Sequence, residues 1–242
     1  MPKTLIEAIG YRLGRKAAQA KNAFELLGGS EEESLPAEIR LGRDLAAAVF
    51  ERTPLIEEND ATRFAAQILR WLSAQQKKLP FSVQVTAERE VNALALPGGP
   101  ILLSWPLLEI CDGERDEIAF VLGHEMGHIV RRHALDRLIK DAAISLLLRK
   151  SSGRGAASAW LRKAGQQQLS RAYSREDEFE ADAFSAGLLK IAGGEAAAPE
   201  RVLRKLAQPI SERGHDRVGD YFAGHPPASE RIVKLQVGGY AH

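Results

Sequence analysis

Ile118-Ala119-Phe120-Val121-Leu122-Gly123-His124-Glu125-Met126-Gly127-His128-Ile129-Val130 is the stretch on which the reading of this chain turns. It lies in a segment, roughly 114–133, that is apolar nearly all round its centre, which predicts a buried helix. Asp112-Gly113 opens that segment. Residues four apart share one face of a helix, so His124 and His128 can reach a single ion. Imidazole nitrogen suits zinc. Glu125 lies one residue past the first histidine, beside the ion without ligating it. That is the place for a general base acting on a metal-activated water. Two histidines and a glutamate in a buried helix are costly without partners. With 6 histidines in 242 residues, chance produces HExxH in roughly one chain in a hundred.

A catalytic zinc usually takes three protein ligands and keeps one position open, so a third ligand is required. One zinc-protease pattern puts a histidine six residues after the second ligand. Here that position is Ala134, and the pattern's glycine position is Arg131. His133 is one residue out of register and reads as a surface histidine behind two arginines. The other common arrangement draws a glutamate from a later helix. Ser174-Arg175-Glu176-Asp177-Glu178-Phe179-Glu180-Ala181-Asp182 offers three candidates. Glu178 and Asp182 share a face. Glu178 could bind the metal while Asp182 fixes the tautomer of a ligand histidine. An acidic, solvated helix start explains the same residues, and spacing leaves both readings open.

Outward from these segments, the periodicities predict helices at 4–27 (one or two), 37–52, 60–76, 135–149, 160–172, 174–191, 199–208 and 228–236. Gly28-Gly29-Ser30 and an acidic linker over 31–36 separate the first from the rest, with Pro54 breaking the chain after 52. Phe81, Val83 and Val85 alternate with polar residues, a strand signal. Val91–Leu96 and Ile101–Ser104 flank Pro97-Gly98-Gly99-Pro100 and read as two strands joined by a tight turn. This is an α+β chain, mainly helical, with a small sheet beside the HExxH helix. It divides into an N-terminal helical segment and linker, 1–36, and a domain, 37–242.

The formal net charge of +1 gives no global field for nucleic acid. Residues 1–21 carry Lys3, Arg12, Arg15, Lys16 and Lys21 against Glu7 alone. That stripe could lie on an anionic membrane surface or pack its apolar side on the domain. Cys111 is the single cysteine, so no internal disulfide forms. No signal peptide and no apolar run long enough to span a membrane is visible. A cytoplasmic protein is the expectation, with a periplasmic or membrane-associated one the alternative.

The chain resembles the gluzincin metallopeptidases related to the CAAX prenyl protease, the HtpX heat-shock protease and the mitochondrial Oma-type protease. The resemblance rests on Asn92-Ala93-Leu94-Ala95-Leu96-Pro97-Gly98-Gly99, Leu122-Gly123 through His128, Ser174-Arg175 through Ala181-Asp182, and His225-Pro226-Pro227 with Arg231-Ile232. It runs from about residue 80 to 235 and is looser over 38–80. It implies a zincin-like domain binding one zinc ion through His124, His128 and Glu178. Glu125 would be the base and acid, and Asp182 would support a ligand from behind. His225 and Arg231 would act near the substrate or the developing oxyanion. Asn92, Ala93, Leu94 and Ala95 would offer an exposed strand to an extended polypeptide substrate, as in protein quality control. The competing expectations are a latent or non-catalytic assembly factor on the same fold and a different zinc hydrolase such as an amidase.

Overall fold

The computed structural model describes residues 31–51, 53–75, 79–140, 173–208 and 225–238. The elements are α1 (Glu31–Phe50), α2 (Asp60–Ser73), β1 (Ser82–Thr86), β2 (Ala93–Ala95), β3 (Pro100–Ser104), α3 (Trp105–Ile110), α4 (Arg115–Val130), α5 (His133–Lys140), α6 (Arg175–Ile191), α7 (Ala198–Ala207) and α8 (Ala228–Val237). The expected helices at 4–27 and 160–172, and the distal part of the one at 135–149, lie outside the described residues, as does the basic stripe.

Two expectations change. Residues 31–36 are not a linker: α1 begins at Glu31 and carries Pro36 inside it. Acidic residues favour a helix N-terminus, so the Glu31-Glu32-Glu33 run starts a helix. The short α3 was not anticipated. Pro106 looks like a breaker, but it sits in the first turn, where its missing N–H costs nothing.

The sheet order is β1-β3-β2. β3 pairs with β1 in parallel and with β2 antiparallel, Leu94 opposite Leu102. β3 is central and apolar on both faces. Ile101 and Leu103 join the main core with α2, α4, α6, α7 and α8. Leu102, with Leu94 and Leu96 of the β2 arm, faces a second core built from α1 and α5. The expected hairpin is therefore present, and β2 forms one edge of the sheet.

α4 is buried from Glu117 to Ile129. Each large apolar side chain so buried contributes roughly 1.5–3 kcal/mol, which fixes α4 as the axis of the domain. Its one buried charge outside the HExxH segment, Glu117, is met by Lys205 Nζ at 2.7 Å and Arg201 Nε at 3.3 Å from α7. The most extensive helix interface joins α4 to α6. Two interior glycines make it close. A Cβ on Gly127 would lie 3.0 Å from Ala181 Cα, and one on Gly123 would lie 2.5 Å from Ser185 Oγ. Gly in a helix interior costs about 1 kcal/mol relative to Ala. Here it lets two helix backbones approach, and Ser185 Oγ donates across the seam to the Phe120 carbonyl at 2.6 Å. Among the described residues, no helix is long and apolar enough to cross a membrane.

Candidate metal centre

α4 and α6 bring the HExxH and ExxxD residues together. α6 starts at a fixed register: Ser174 and Asp177 form a reciprocal capping box, which places Glu178 one residue further on, facing α4. Glu178 Oε2 lies 3.4 Å from His124 Nε2, and Glu178 Oε1 lies 3.4 Å from His128 Nε2. The two histidine Nε2 atoms are 3.1 Å apart. His225, which leads into α8, places Nδ1 2.5 Å from Glu178 Oε2. Ligand atoms of His124, Glu178 and His225 all lie within 4.8 Å of one another. All four side chains are nearly or fully buried.

Asp182, one turn on from Glu178, accepts from His124 Nδ1 at 2.9 Å. Arg231 of α8 donates to both oxygens of Asp182, through Nε at 2.8 Å and Nη2 at 2.6 Å. Asp182 is thus where a supporting carboxylate belongs. The position of Arg231 differs from an oxyanion role. It is 1% exposed and committed to Asp182 behind His124, whereas an oxyanion donor must face the cleft. His225 stands at ligand distance rather than a step away from the site.

The electrostatics follow from burial and these contacts. For His124, burial and Arg231 both oppose protonation, but the bonds to Asp182 and Glu178 outweigh them and carry it up to about 9. Burial pushes His128 down to about 3 despite Glu178, and burial also lowers His225. Burial would raise Glu178 and Asp182. The close approach of the three histidines holds Glu178 well below the ordinary carboxylate range, and the Arg231 charge does the same for Asp182. Burial lifts Glu125 to about 7, Glu178 adding to the push while His124 and Arg137 oppose it. A carboxyl poised near neutrality is suited to passing a proton both ways.

These residues fit a metal ion. Glu178 Oε1 is buried and accepts no hydrogen bond. His128, neutral, faces it at 3.4 Å with a nitrogen lone pair. Lone pairs converging in a dry pocket call for a cation. Two imidazoles and a carboxylate are a donor set suited to zinc.

Sequence reasoning missed two neighbours of His128. His133 is not a surface histidine: it is 9% exposed, and its Nδ1 lies 3.1 Å from His128 Nδ1. Tyr173 stacks on the His128 ring at 3.8 Å with the planes 12° apart, and Arg137 covers the Tyr173 ring at 4.2 Å. The Tyr173 hydroxyl is buried without a hydrogen-bond partner among the described residues. Its position directly before the Ser174 cap was the one available signal.

The β2 edge lies against α4. Asn92 N–H donates to Ser104 Oγ at 2.9 Å, and its side-chain amide donates to Glu88 Oε2 at 3.3 Å. Leu94 and Ala95 are buried and Ala93 half-buried. Ser104 N–H bonds to Asn92 O, and Leu96 N–H to Pro100 O. By strand alternation, the polar backbone groups of Ala93 and Ala95 therefore point away from β3.

The family model described as Peptidase family M48 matches residues 57–237. Mitochondrial metalloendopeptidase OMA1 of Arabidopsis thaliana is 31% identical over 160 residues, 65% of this chain and 31% of the relative. Metalloprotease YcaL of Escherichia coli (strain K12) is 28% identical over 176 residues, 71% of this chain and 67% of the relative. The Beta-barrel assembly-enhancing protease of the same organism is 27% identical over 214 residues, 83% of this chain and 43% of the relative. The first and third relatives are thus matched over less than half their own length.

Proposed function

The chain belongs to peptidase family M48, and we propose that it is a zinc-dependent endopeptidase acting on extended or unfolded polypeptide, in a protein quality-control role. The observation that carries this reading is the convergence of His124, His128 and Glu178 on one point, with Glu125 buried on the same helix. His124, His128 and Glu178 would hold the ion. Bound there, zinc would supply the positive charge that polarises a scissile carbonyl and makes a water molecule more acidic. Glu125 takes a proton from the attacking water and returns it to the leaving amine. Asp182, clasped by Arg231, keeps the His124 lone pair on Nε2. The backbone groups of Ala93 and Ala95 that point away from β3 support pairing with a substrate backbone.

The test is Glu125→Gln in the full chain, scored on an unfolded protein substrate alongside measured zinc content. The variant should keep its zinc and lose cleavage by at least about a hundredfold. Wild-type cleavage by Glu125→Gln would remove Glu125 from the mechanism, and a wild-type protein that binds no zinc would end the proposal.

One observation favours a second reading, a latent enzyme. His225 sits on Glu178 among the candidate ligands, and a fourth protein ligand fills the position a catalytic zinc leaves open. His225→Ala separates the two. Activity rises if His225 blocks the site and falls if it aids the reaction.

A further inference from the structure

We infer that His133 is the positioning residue for His128, handing the orienting influence of Asp177 and Glu180 through to the ring that faces the metal site. The inference rests on the zinc-binding reading above. His124 has its supporting carboxylate in Asp182, and among the described residues no carboxylate stands at His128 Nδ1. What stands there is His133 Nδ1 at 3.1 Å, ring centroids 5.3 Å apart and planes at 66°. On its far side, His133 Nε2 lies 3.6 Å from both Asp177 Oδ1 and Glu180 Oε2.

These contacts set a direction. Only one of two nitrogens 3.1 Å apart can donate. Two carboxylates beside His133 Nε2 hold the His133 proton there, which leaves His133 Nδ1 as an acceptor. His128 must then carry its proton on Nδ1 and keep its lone pair on Nε2, the atom facing Glu178 and His124. Reversing the donation would put a proton on His128 Nε2 and block it as a ligand. Tyr173, stacked on the ring face, holds the plane.

The backbone is bent to make this contact. On an uninterrupted helix a residue five positions on lies about 140° round the axis, so residue 133 would face away from His128. Arg132 adopts φ 63°, a conformation L-residues other than Gly rarely take. It ends the α4 turn and starts α5 at His133. Two contacts from α1 anchor it: Arg132 Nη2 donates to Ser34 Oγ at 2.8 Å and pairs with Glu38 Oε2 at 3.1 Å.

The experiment uses the full chain at one fixed pH. Zinc affinity is measured against a chromophoric chelator, and the visible absorption of the cobalt(II)-substituted protein is recorded. His133→Phe keeps the ring and removes the acceptor; zinc affinity should fall about 10- to 100-fold and the cobalt bands should shift. His133→Asn puts an amide oxygen near the place of Nδ1 and should recover affinity to within about 3-fold of wild type. If His133→Phe unfolds, Asp177→Asn with Glu180→Gln keeps the Ser174 cap acceptor and should still weaken zinc about 3- to 10-fold. Unchanged affinity and cobalt spectrum in His133→Phe, equal losses in the Phe and Asn variants, or no effect of the carboxamide pair overturns the inference. A wild-type chain that binds neither ion overturns the zinc reading itself, and the inference with it.

Discussion

Replacing Arg231 by Met keeps most of the side chain's length and removes its charge. In the structure that guanidinium makes two donations to Asp182, at 2.8 and 2.6 Å, with both side chains at most 2% exposed. Its loss leaves a buried carboxylate held by His124. Breaking a buried pair in this way costs about 3–5 kcal/mol. For a chain of this size, 1 kcal/mol moves Tm by about 2–4 °C, so a drop of roughly 6–20 °C is expected. The measurement is calorimetric or chemical denaturation in chelator, so that metal binding does not contribute. Asp182→Asn combined with Arg231→Met removes both charges and should recover most of the loss. A single variant within about 1 kcal/mol of wild type would refute the assignment of Arg231 as the clasp on Asp182. A double variant as unstable as the single one would mean that packing, not charge, is responsible.

The metal-free protein should lose stability as pH rises from 6.5 to 9. His124 is raised to about 9, so its contribution is full below 6.5 and is lost as pH climbs to about 9. His128 is lowered to about 3, so its contribution is lost as pH falls below 6.5, and Asp182, also lowered, adds to that loss below about 4. Each histidine is worth on the order of a few kcal/mol; a flat profile from 6.5 to 9 in chelator would contradict the protonated His124. Tyr173→Phe removes a buried hydroxyl without a partner and keeps the stack on His128, so stability should rise by about 1–3 kcal/mol; a loss in a denaturant titration would mean that the hydroxyl is satisfied in solution. Gly127→Val would drive a branched side chain into the Ala181 backbone, where even a Cβ comes to 3.0 Å. It should cost about 1–3 kcal/mol and weaken zinc binding in the chelator competition. Unchanged affinity would show that helix spacing does not set the ligand geometry.

What could be read in the sequence was what local spacing encodes. His124 with His128, and Glu178 with Asp182, are each four apart on one helix, and each pair does share a face. That the two helices meet depended on resemblance, although Gly123 and Gly127, two helix-interior glycines four apart, were a physical sign of close approach. His133 was read as a surface histidine behind two arginines, and the left-handed Arg132 that turns it back onto His128 has no signature in the spacing. The role of Ser34 and Glu38 in anchoring that turn spans nearly a hundred residues of chain and leaves no periodic trace. Arg231 was placed near the substrate by analogy alone; its burial against Asp182 is a property of how α8 docks. The misjudged 31–36 segment followed from reading acidic residues as a spacer when a helix N-terminus also favours them.

The Arg231 clasp has a consequence for biogenesis. The donors His124, His128 and Glu178 are all complete once residue 178 has been synthesised, but the residue that holds Asp182 in place arrives about fifty positions later, on the last described helix. A nascent chain emerging N-terminus first would therefore carry every candidate donor of the HExxH and ExxxD pair before it can hold them rigidly. Docking of α8 would then be the step that finishes the arrangement.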